Sequence, residues 1–242
     1  MNEKKPLLVF SGGMDSSYML WKELEKGDVY TCYVDCAQSR DKVPLELAAR
    51  KKIIAFFEEL TGNKVISDTV VTIGGAFGIK MKTSYHTGSV TQDNNIPPDR
   101  TWSQAHQWMF GALYASDGTT KHSALMIGNI MGDSIALHIE DQKQAWTYLQ
   151  RFSKNTVIPL EFPLAYTTKE LILEALPLGM LKDVWVCEMP DYNEDQQWRT
   201  CNRCEACITL MKTIWGWEHR SGKNFQKYLE GQYENQQVLD KM

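Results

Sequence analysis

No run of apolar residues in this 242-residue sequence reaches the roughly 20 that a helix needs to cross a bilayer. The opening stretch, Met1-Asn2-Glu3-Lys4-Lys5-Pro6, lacks the apolar core and the small-residue cleavage site of a secretory leader. A cytoplasmic location and no membrane partner are therefore expected. There is no long basic run, and the net charge is −4. That weighs against a broad phosphate-binding face, and so against nucleic acid as a partner, while leaving room for a local basic cleft. The five histidines show no metal-ligand spacing, and no internal repeat or low-complexity tract is present. What the chain does have is a hydrophobic fraction of 43%, enough for a sizeable core in one large domain or one domain with a small appendage.

Periodicity sets the order of elements. Leu7-Leu8-Val9-Phe10 reads as a short buried strand, followed by a helix from about Asp15 to Glu25. Val29 to Val34 is a second strand. Pro44 to Leu60 is a helix, with Leu45, Ala48, Ala49, Ile53, Phe56, Phe57 and Leu60 at helical spacing and Gly62 as its stop. Val65 to Ile73 is a third strand. The Gly-, Thr-, Ser- and Asn-rich stretch from Gly74 to Asp99 reads as a long, mobile loop. Beyond it come a helix from Trp102 to Ala115, a strand at Ala124 to Ile127, a helix from Glu140 to Phe152 and a strand-like Val157 to Leu160. A helix from Thr167 to Leu176 follows, with Thr167 as N-cap and Glu170 completing a capping box. Glu218 to Met242 reads as a peripheral helix or loose tail. Strands alternating with helices imply an α/β fold with a parallel sheet.

Between the first strand and the first helix stands Ser11-Gly12-Gly13-Met14-Asp15-Ser16-Ser17. Glycines let the backbone approach an anion and take positive φ. The helix start adds unpaired N–H groups and a positive dipole end, and the serines add hydroxyl donors. Asp15 either caps the helix or holds Mg²⁺. The Gly-Lys-Ser/Thr of a Walker loop is absent. The string resembles the PP-loop of the ATP pyrophosphatases, which include GMP synthetase, NAD synthetase, asparagine synthetase, tRNA thiolation enzymes and 7-cyano-7-deazaguanine synthase. That resemblance implies a Rossmann-like, adenine nucleotide α-hydrolase-like sheet. It implies ATP and Mg²⁺ as cofactors, bound by Phe10, Ser11, Gly12, Gly13, Met14, Asp15, Ser16 and Ser17. A substrate oxygen would attack the α-phosphate, with pyrophosphate leaving into the loop.

Cys201-Asn202-Arg203-Cys204-Glu205-Ala206-Cys207 packs three thiols into one short segment, and Cys187 lies upstream. Such a triad cannot pair internally without strain, so a metal is the better reading than disulfides or scattered buried thiols. Four thiolates suit a closed, structural zinc shell, and C-x2-C-x2-C also occurs in iron–sulfur proteins.

A PP-loop followed by this cysteine pattern is similar to the 7-cyano-7-deazaguanine synthase family. Further segments match it. They are Phe162-Pro163-Leu164, Thr167-Thr168-Lys169-Glu170-Leu171-Ile172, Leu178-Gly179 and Val184-Trp185-Val186-Cys187, with Ala37-Gln38-Ser39-Arg40 and Ile96-Pro97-Pro98-Asp99-Arg100 as looser ones. The resemblance implies an ATP-dependent, C–N bond-forming ligase. It would turn 7-carboxy-7-deazaguanine and ammonia into the nitrile precursor of queuosine, with Zn²⁺ on Cys187, Cys201, Cys204 and Cys207. Domains would be 1–180 for the ATP pyrophosphatase part and 181–242 for the zinc-binding region and tail, and a homodimer is allowed. The departures are a long insert between Cys187 and Cys201, and Gly128-Asn129-Ile130-Met131-Gly132-Asp133-Ser134-Ile135-Ala136-Leu137-His138 in place of the family's Asp, then Ser-Gly-Tyr-Pro-Asp-Cys.

Arg40 and Arg100, with Asp15, are the candidate catalytic residues. A guanidinium suits a carboxylate or phosphate, and a solvated surface arginine is the equal alternative. Gln38, Asn129, Asp133, Ser134 and Lys169 are the candidate substrate residues, and Trp102 or His138 could give a stacking face. Three other functions remain on the sequence: a tRNA thiolation enzyme using Cys32 or Cys36, an amide ligase on another carboxylate, and a non-catalytic zinc-binding interaction module.

Overall fold

Alternation along the first strand, β1 (Lys5–Val9), divides the interior in two. Leu8, and Phe10 just beyond the strand, enter one buried cluster, while Leu7 and Val9 enter another. This is the period-two geometry of a strand covered on both faces. The computed structural model describes residues 3–35, 42–72, 104–116, 121–131, 138–152, 157–192 and 198–229. Among these residues β1 is the centre of a five-stranded parallel sheet with order β3-β2-β1-β4-β5. The other strands are β2 (Val29–Asp35), β3 (Val65–Thr72), β4 (His122–Ile127) and β5 (Leu160–Glu161). Leu8 stands opposite Thr31 on one side and Met126 on the other. The α/β class and parallel sheet expected from the alternation of elements are present.

Helices α1 (Met14–Leu24) and α2 (Val43–Thr61) cover the first face. In α2 the apolar stripe Ala49, Ile53 and Phe57 is buried, each residue contributing by removing apolar area from water. Gly62 ends the helix in the left-handed conformation, φ 75°, and its N–H reaches the Glu58 carbonyl at 3.0 Å. Helices α3 (Gln104–Ala115) and α4 (Ile139–Phe152) cover the second face through Met109, Ala112 and Trp146. A Cβ at Gly111 would sit 2.5 Å from both Val34 methyls, so only glycine lets α3 lie this close to β2.

Downstream, α5 (Lys169–Ala175), α6 (Leu178–Leu181), α7 (Glu205–Ser221) and α8 (Phe225–Leu229) return to the first face. Their Ile172, Leu173, Met180, Trp217 and Phe225 join the same cluster as Leu8 and Phe10. Two short strands, β6 (Asp191–Tyr192) and β7 (Trp198–Arg199), pair antiparallel beside the cysteines.

Three sequence expectations shift. The N-cap of α5 is Thr168, not Thr167. Its hydroxyl accepts the Leu171 N–H, while Thr167 is tied back to the Leu164 carbonyl in the preceding turn. The strand expected at Val157 starts at Leu160. Ile158 has its N–H and C=O taken by the Gln150 side chain, and its carbonyl is shared with the Trp146 indole N–H. Helix α7 fills residues for which the sequence suggests no element up to Trp217, and it takes in the start of the stretch from Glu218 expected as a peripheral helix or tail. Its buried residues Cys207, Thr213 and Trp217 are too sparse to mark a stripe, and Met211 and Trp215 stay exposed. The Gly74–Asp99 loop and residues 230–242 lie outside the described residues.

Sheet order reverses between β2 and β4, on either side of β1, which is where open parallel sheets form a crevice at their carboxyl ends.

One buried group at the opposite end gives a test. His122 is 1% exposed, and burial, with Lys121 nearby, lowers its pKa to about 4. A lowered histidine pKa means that the unfolded chain binds more protons between about pH 6.5 and 4. Stability is therefore full above pH 6.5 and declines as pH falls toward 4. Urea unfolding at pH 7 and pH 4.5 should show this decline, on the order of 2 kcal/mol. In His122→Leu the difference should shrink by about that amount.

Candidate active site and metal centre

The loop after β1 is shaped by its own hydroxyls. Ser16 Oγ accepts the Ser11 N–H at 3.2 Å, contacts Ser11 Oγ at 3.1 Å and donates to the Gly13 carbonyl at 3.1 Å. Gly12 takes φ 84°. A Cβ there would lie 3.1 Å from Arg50 Cγ and 3.2 Å from the Glu46 carbonyl oxygen, so the conformation favours glycine and the space is tight for anything larger. Gly13 is the N-cap of α1 and brings no side chain to the helix start. No N-cap side chain therefore stands between the start of α1 and an incoming anion. Asp15 belongs to the first turn of α1, so it does not serve as the cap. Its Oδ2 accepts from Lys169 Nζ at 2.7 Å, across 154 residues of sequence.

From its outer side the loop is held by the chain that precedes the cysteines. The Trp185 N–H donates to the Gly12 carbonyl at 3.1 Å, and the Trp185 indole N–H donates to the Cys187 carbonyl at 2.9 Å. These two bonds place Val186 and Glu188 opposite the loop. A cavity of about 180 Å³ lies between them, lined also by Asp15, Lys169, Tyr33 and Trp108.

Behind and beside it runs a buried polar chain. The Arg50 guanidinium pairs with Asp68 and lies over the rings of Phe10 and Tyr33, 4.6 and 5.2 Å from their centroids. The Tyr33 hydroxyl donates to Glu46, and Lys42 sits between Glu46, at 3.5 Å, and Glu188. Burial pushes the Glu46 carboxyl and the Tyr33 hydroxyl up, with the Glu46 charge adding to the rise at Tyr33. Burial also lowers the pKa of Arg50.

The four thiols Cys187, Cys201, Cys204 and Cys207 lie with their sulfurs within 4.8 Å of one another, a set that could bind a metal. Cys187, Cys204 and Cys207 are buried and Cys201 half-buried. Asn202 takes φ 55° to turn the backbone, and the N–H groups of Cys201 and Cys204 donate to the sulfurs of Cys187 and Cys201, both at 3.3 Å. Burial raises the Cys201 thiol. The N–H groups of Arg203 and Cys204 and the thiols of Cys187 and Cys204 outweigh it and bring the pKa down to about 7. Burial pushes the thiols of Cys187 and Cys207 up.

The residues singled out in the sequence divide accordingly. Phe10, Ser11, Gly13, Met14, Asp15, Lys169 and Trp185 line one cavity, and the four cysteines form a separate buried cluster that touches it through Trp185. Asn129, past the end of β4, is buried, and its Nδ2 has no hydrogen-bond partner among the described residues. Neighbouring Gly128 packs against Ser16. His138 is exposed and pairs with Asp141 beside a different, wider cavity, so it gives this site no stacking face. Cys32 is fully buried, and burial raises its thiol to about 12, which removes it as a reactive thiolate. Gln38, Arg40, Arg100, Trp102, Asp133, Ser134 and Cys36 lie outside the described residues. Sequence reasoning missed Tyr33, Lys42, Glu46, Arg50, Trp108 and Glu188. The available signal was Glu46 and Arg50, two charges on the same buried stripe of α2 as Ala49 and Ile53.

Solved structures similar to this chain include two that bear on its fold. One is the U34-tRNA thiolase NcsA from Methanococcus maripaludis with its [4Fe-4S] cluster, at 15% identity and TM-score 0.44, covering 96% of this chain and 72% of that one. The other is a predicted subunit of tRNA methyltransferase from Methanocaldococcus jannaschii, at 12% identity and TM-score 0.39, covering 93% and 91%. A search of curated proteins found no match. The family model described as Queuosine biosynthesis protein QueC matches residues 5–215, from the first residue of β1 into the middle of α7. A match of that extent takes in both the phosphate loop and all four clustered cysteines, and the chain belongs to the QueC family of queuosine biosynthesis proteins.

Proposed function

We propose that this protein uses ATP to convert 7-carboxy-7-deazaguanine and ammonia into 7-cyano-7-deazaguanine. The observation that carries the reading is a shared cavity, with the Ser11–Ser17 loop on one side and the segment ending at Cys187 on the other. The substrate carboxylate attacks the α-phosphorus of ATP, and pyrophosphate leaves into the loop. Ammonia displaces AMP and gives the amide. A second ATP adenylates the amide oxygen, and loss of the amide protons with AMP leaves the nitrile. No side chain acts as a covalent nucleophile; positioning and charge stabilisation supply the acceleration.

Within this scheme the serine hydroxyls and the α1 N–H groups receive the pyrophosphate. A carboxylate at the loop suits Mg²⁺, so Asp15 would hold the ion, which neutralises phosphate charge. Lys169 holds Asp15 in place and adds a cation. The buried Asn129 amide supplies a donor. Arg40 and Arg100 pair the carboxylate or a phosphate, and Gln38, Asp133 and Ser134 contact the base. Residues 1–180 carry the ATP chemistry, and 181–242 carry the metal.

The metal is zinc in this reading. Around one tetrahedral ion with Zn–S of about 2.3 Å, sulfurs sit about 3.8 Å apart. The four sulfurs, all within 4.8 Å of one another, suit that shell. A cubane cluster interposes several irons and sulfides and needs a wider set.

Incubation with ATP, Mg²⁺, ammonium and 7-carboxy-7-deazaguanine should yield AMP and the nitrile by mass spectrometry; ADP as product would reject the reading. Asp15→Ala and Ser11→Ala should each lower AMP formation by about 100-fold or more while metal content and melting temperature stay near wild type. Wild-type turnover in both would place the active site elsewhere.

Elemental analysis should give one zinc per chain, and iron with sulfide would overturn that assignment. Cys204→Ala should lose the metal and much of the stability, because a structural zinc shell contributes folding free energy.

A further inference from the structure

We infer that Glu188 reads the base edge of the substrate, accepting hydrogen bonds from the ring N–H and exocyclic amine of a 7-deazaguanine. The inference rests on the deazaguanine reading proposed above and names the residue that gives it specificity.

Three observations lead to it. Glu188 directly follows Cys187, so its backbone is fixed by the cysteine cluster and by the Trp185 indole bond to the Cys187 carbonyl. Its side chain is 29% exposed and lines the cavity shared with the phosphate loop. Lys42 holds it through Oε2, and Lys42 is itself flanked by Glu46. Two carboxylates thus share one ammonium at this end of the cavity. The local surplus is of acceptors and negative charge.

That surplus selects among flat ligands. A guanine-type edge places an N–H and an amine side by side, two donors that match one carboxylate. An adenine edge places a ring-nitrogen acceptor beside its amine, which sets a lone pair against the carboxylate. Glu46 is the lesser candidate. It is more deeply buried and is engaged by the Tyr33 hydroxyl. The partly buried indoles of Trp108 and Trp185, which also line the cavity, offer faces for a planar ring. The arrangement supplies edge recognition in a chain whose segment after Asp133-Ser134 departs from its family's pattern.

The test is Glu188→Gln, assayed by AMP release with 7-carboxy-7-deazaguanine and with its analogue lacking the 2-amino group. Wild type should prefer the amino compound by about 100-fold in kcat/KM, the range set by a buried polar group left unpaired. In the variant the KM for the amino compound should rise about 10- to 100-fold, that for ATP should stay the same, and the preference should fall to within about threefold. An unchanged KM and preference, with zinc content and melting temperature as in wild type, would overturn the inference alone. If wild type adenylates neither compound, the proposed substrate falls and the inference with it. Should the variant lose its metal, the wild-type complex with 7-carboxy-7-deazaguanine decides. The Glu188 carboxylate should lie within about 3.2 Å of both nitrogens, and a base edge placed elsewhere overturns the assignment.

Discussion

One main-chain hydrogen bond, from the Trp185 N–H to the Gly12 carbonyl, joins the two halves of the site. Gly12 can offer that carbonyl because its φ of 84° turns the backbone in a way other residues resist. On its inner side the same glycine lies close to Arg50 and to the Glu46 carbonyl, where a Cβ would be tight. The loop is therefore pressed between α2 and the chain leading to Cys187. Gly13, the N-cap of α1, makes no side-chain cap hydrogen bond at the helix start.

The polar groups around the loop reinforce this arrangement more by position than by net stability. Buried ion pairs lose in desolvation much of what they gain in attraction, yet removing one partner is costly. Arg50, paired with Asp68 and seated over Phe10 and Tyr33, fixes where α2 stands relative to β1 and β2. Lys42 extends that order from α2 to Glu188, and Lys169 extends it from α5 to Asp15. Four elements far apart in sequence thus converge where the sheet order reverses, at the place α/β sheets use for ligands. The buried cysteine cluster adds a local constraint, since Cys187 packs with Cys204 and Cys207 next to Val186 and Glu188.

Much of this was legible in the sequence where a single local rule operates. Leu7 to Phe10 followed by Ser-Gly-Gly announces a strand entering an anion-binding turn, and Ala49, Ile53 and Phe57 announce the buried face of α2. Gly62 marks its end. The C-x2-C-x2-C spacing with Cys187 upstream announces the four-thiol cluster, a set that could bind a metal. Legibility fails where long-range partners decide. The N-cap of α5 fell on Thr168 because the Leu164 carbonyl captured Thr167. The start of β5 was displaced because Gln150 bonds Ile158 in place of a neighbouring strand. Helix α7 was hidden because its buried face is built from a cysteine, a threonine and a tryptophan. Glu188 and Lys42, 146 residues apart, carry no local signal of their pairing, nor do Lys169 and Asp15.

Phosphate loop and cysteine cluster are joined through Trp185, which bonds the Gly12 and Cys187 carbonyls. Amide hydrogen exchange of the metal-loaded and chelator-treated protein tests this link directly. The account predicts that metal removal lowers protection at residues 11–17 and 184–188 together, while β1 and β2 in the sheet keep theirs. Loss of protection confined to the cysteine segment, with the Ser11–Ser17 loop unchanged, would contradict it.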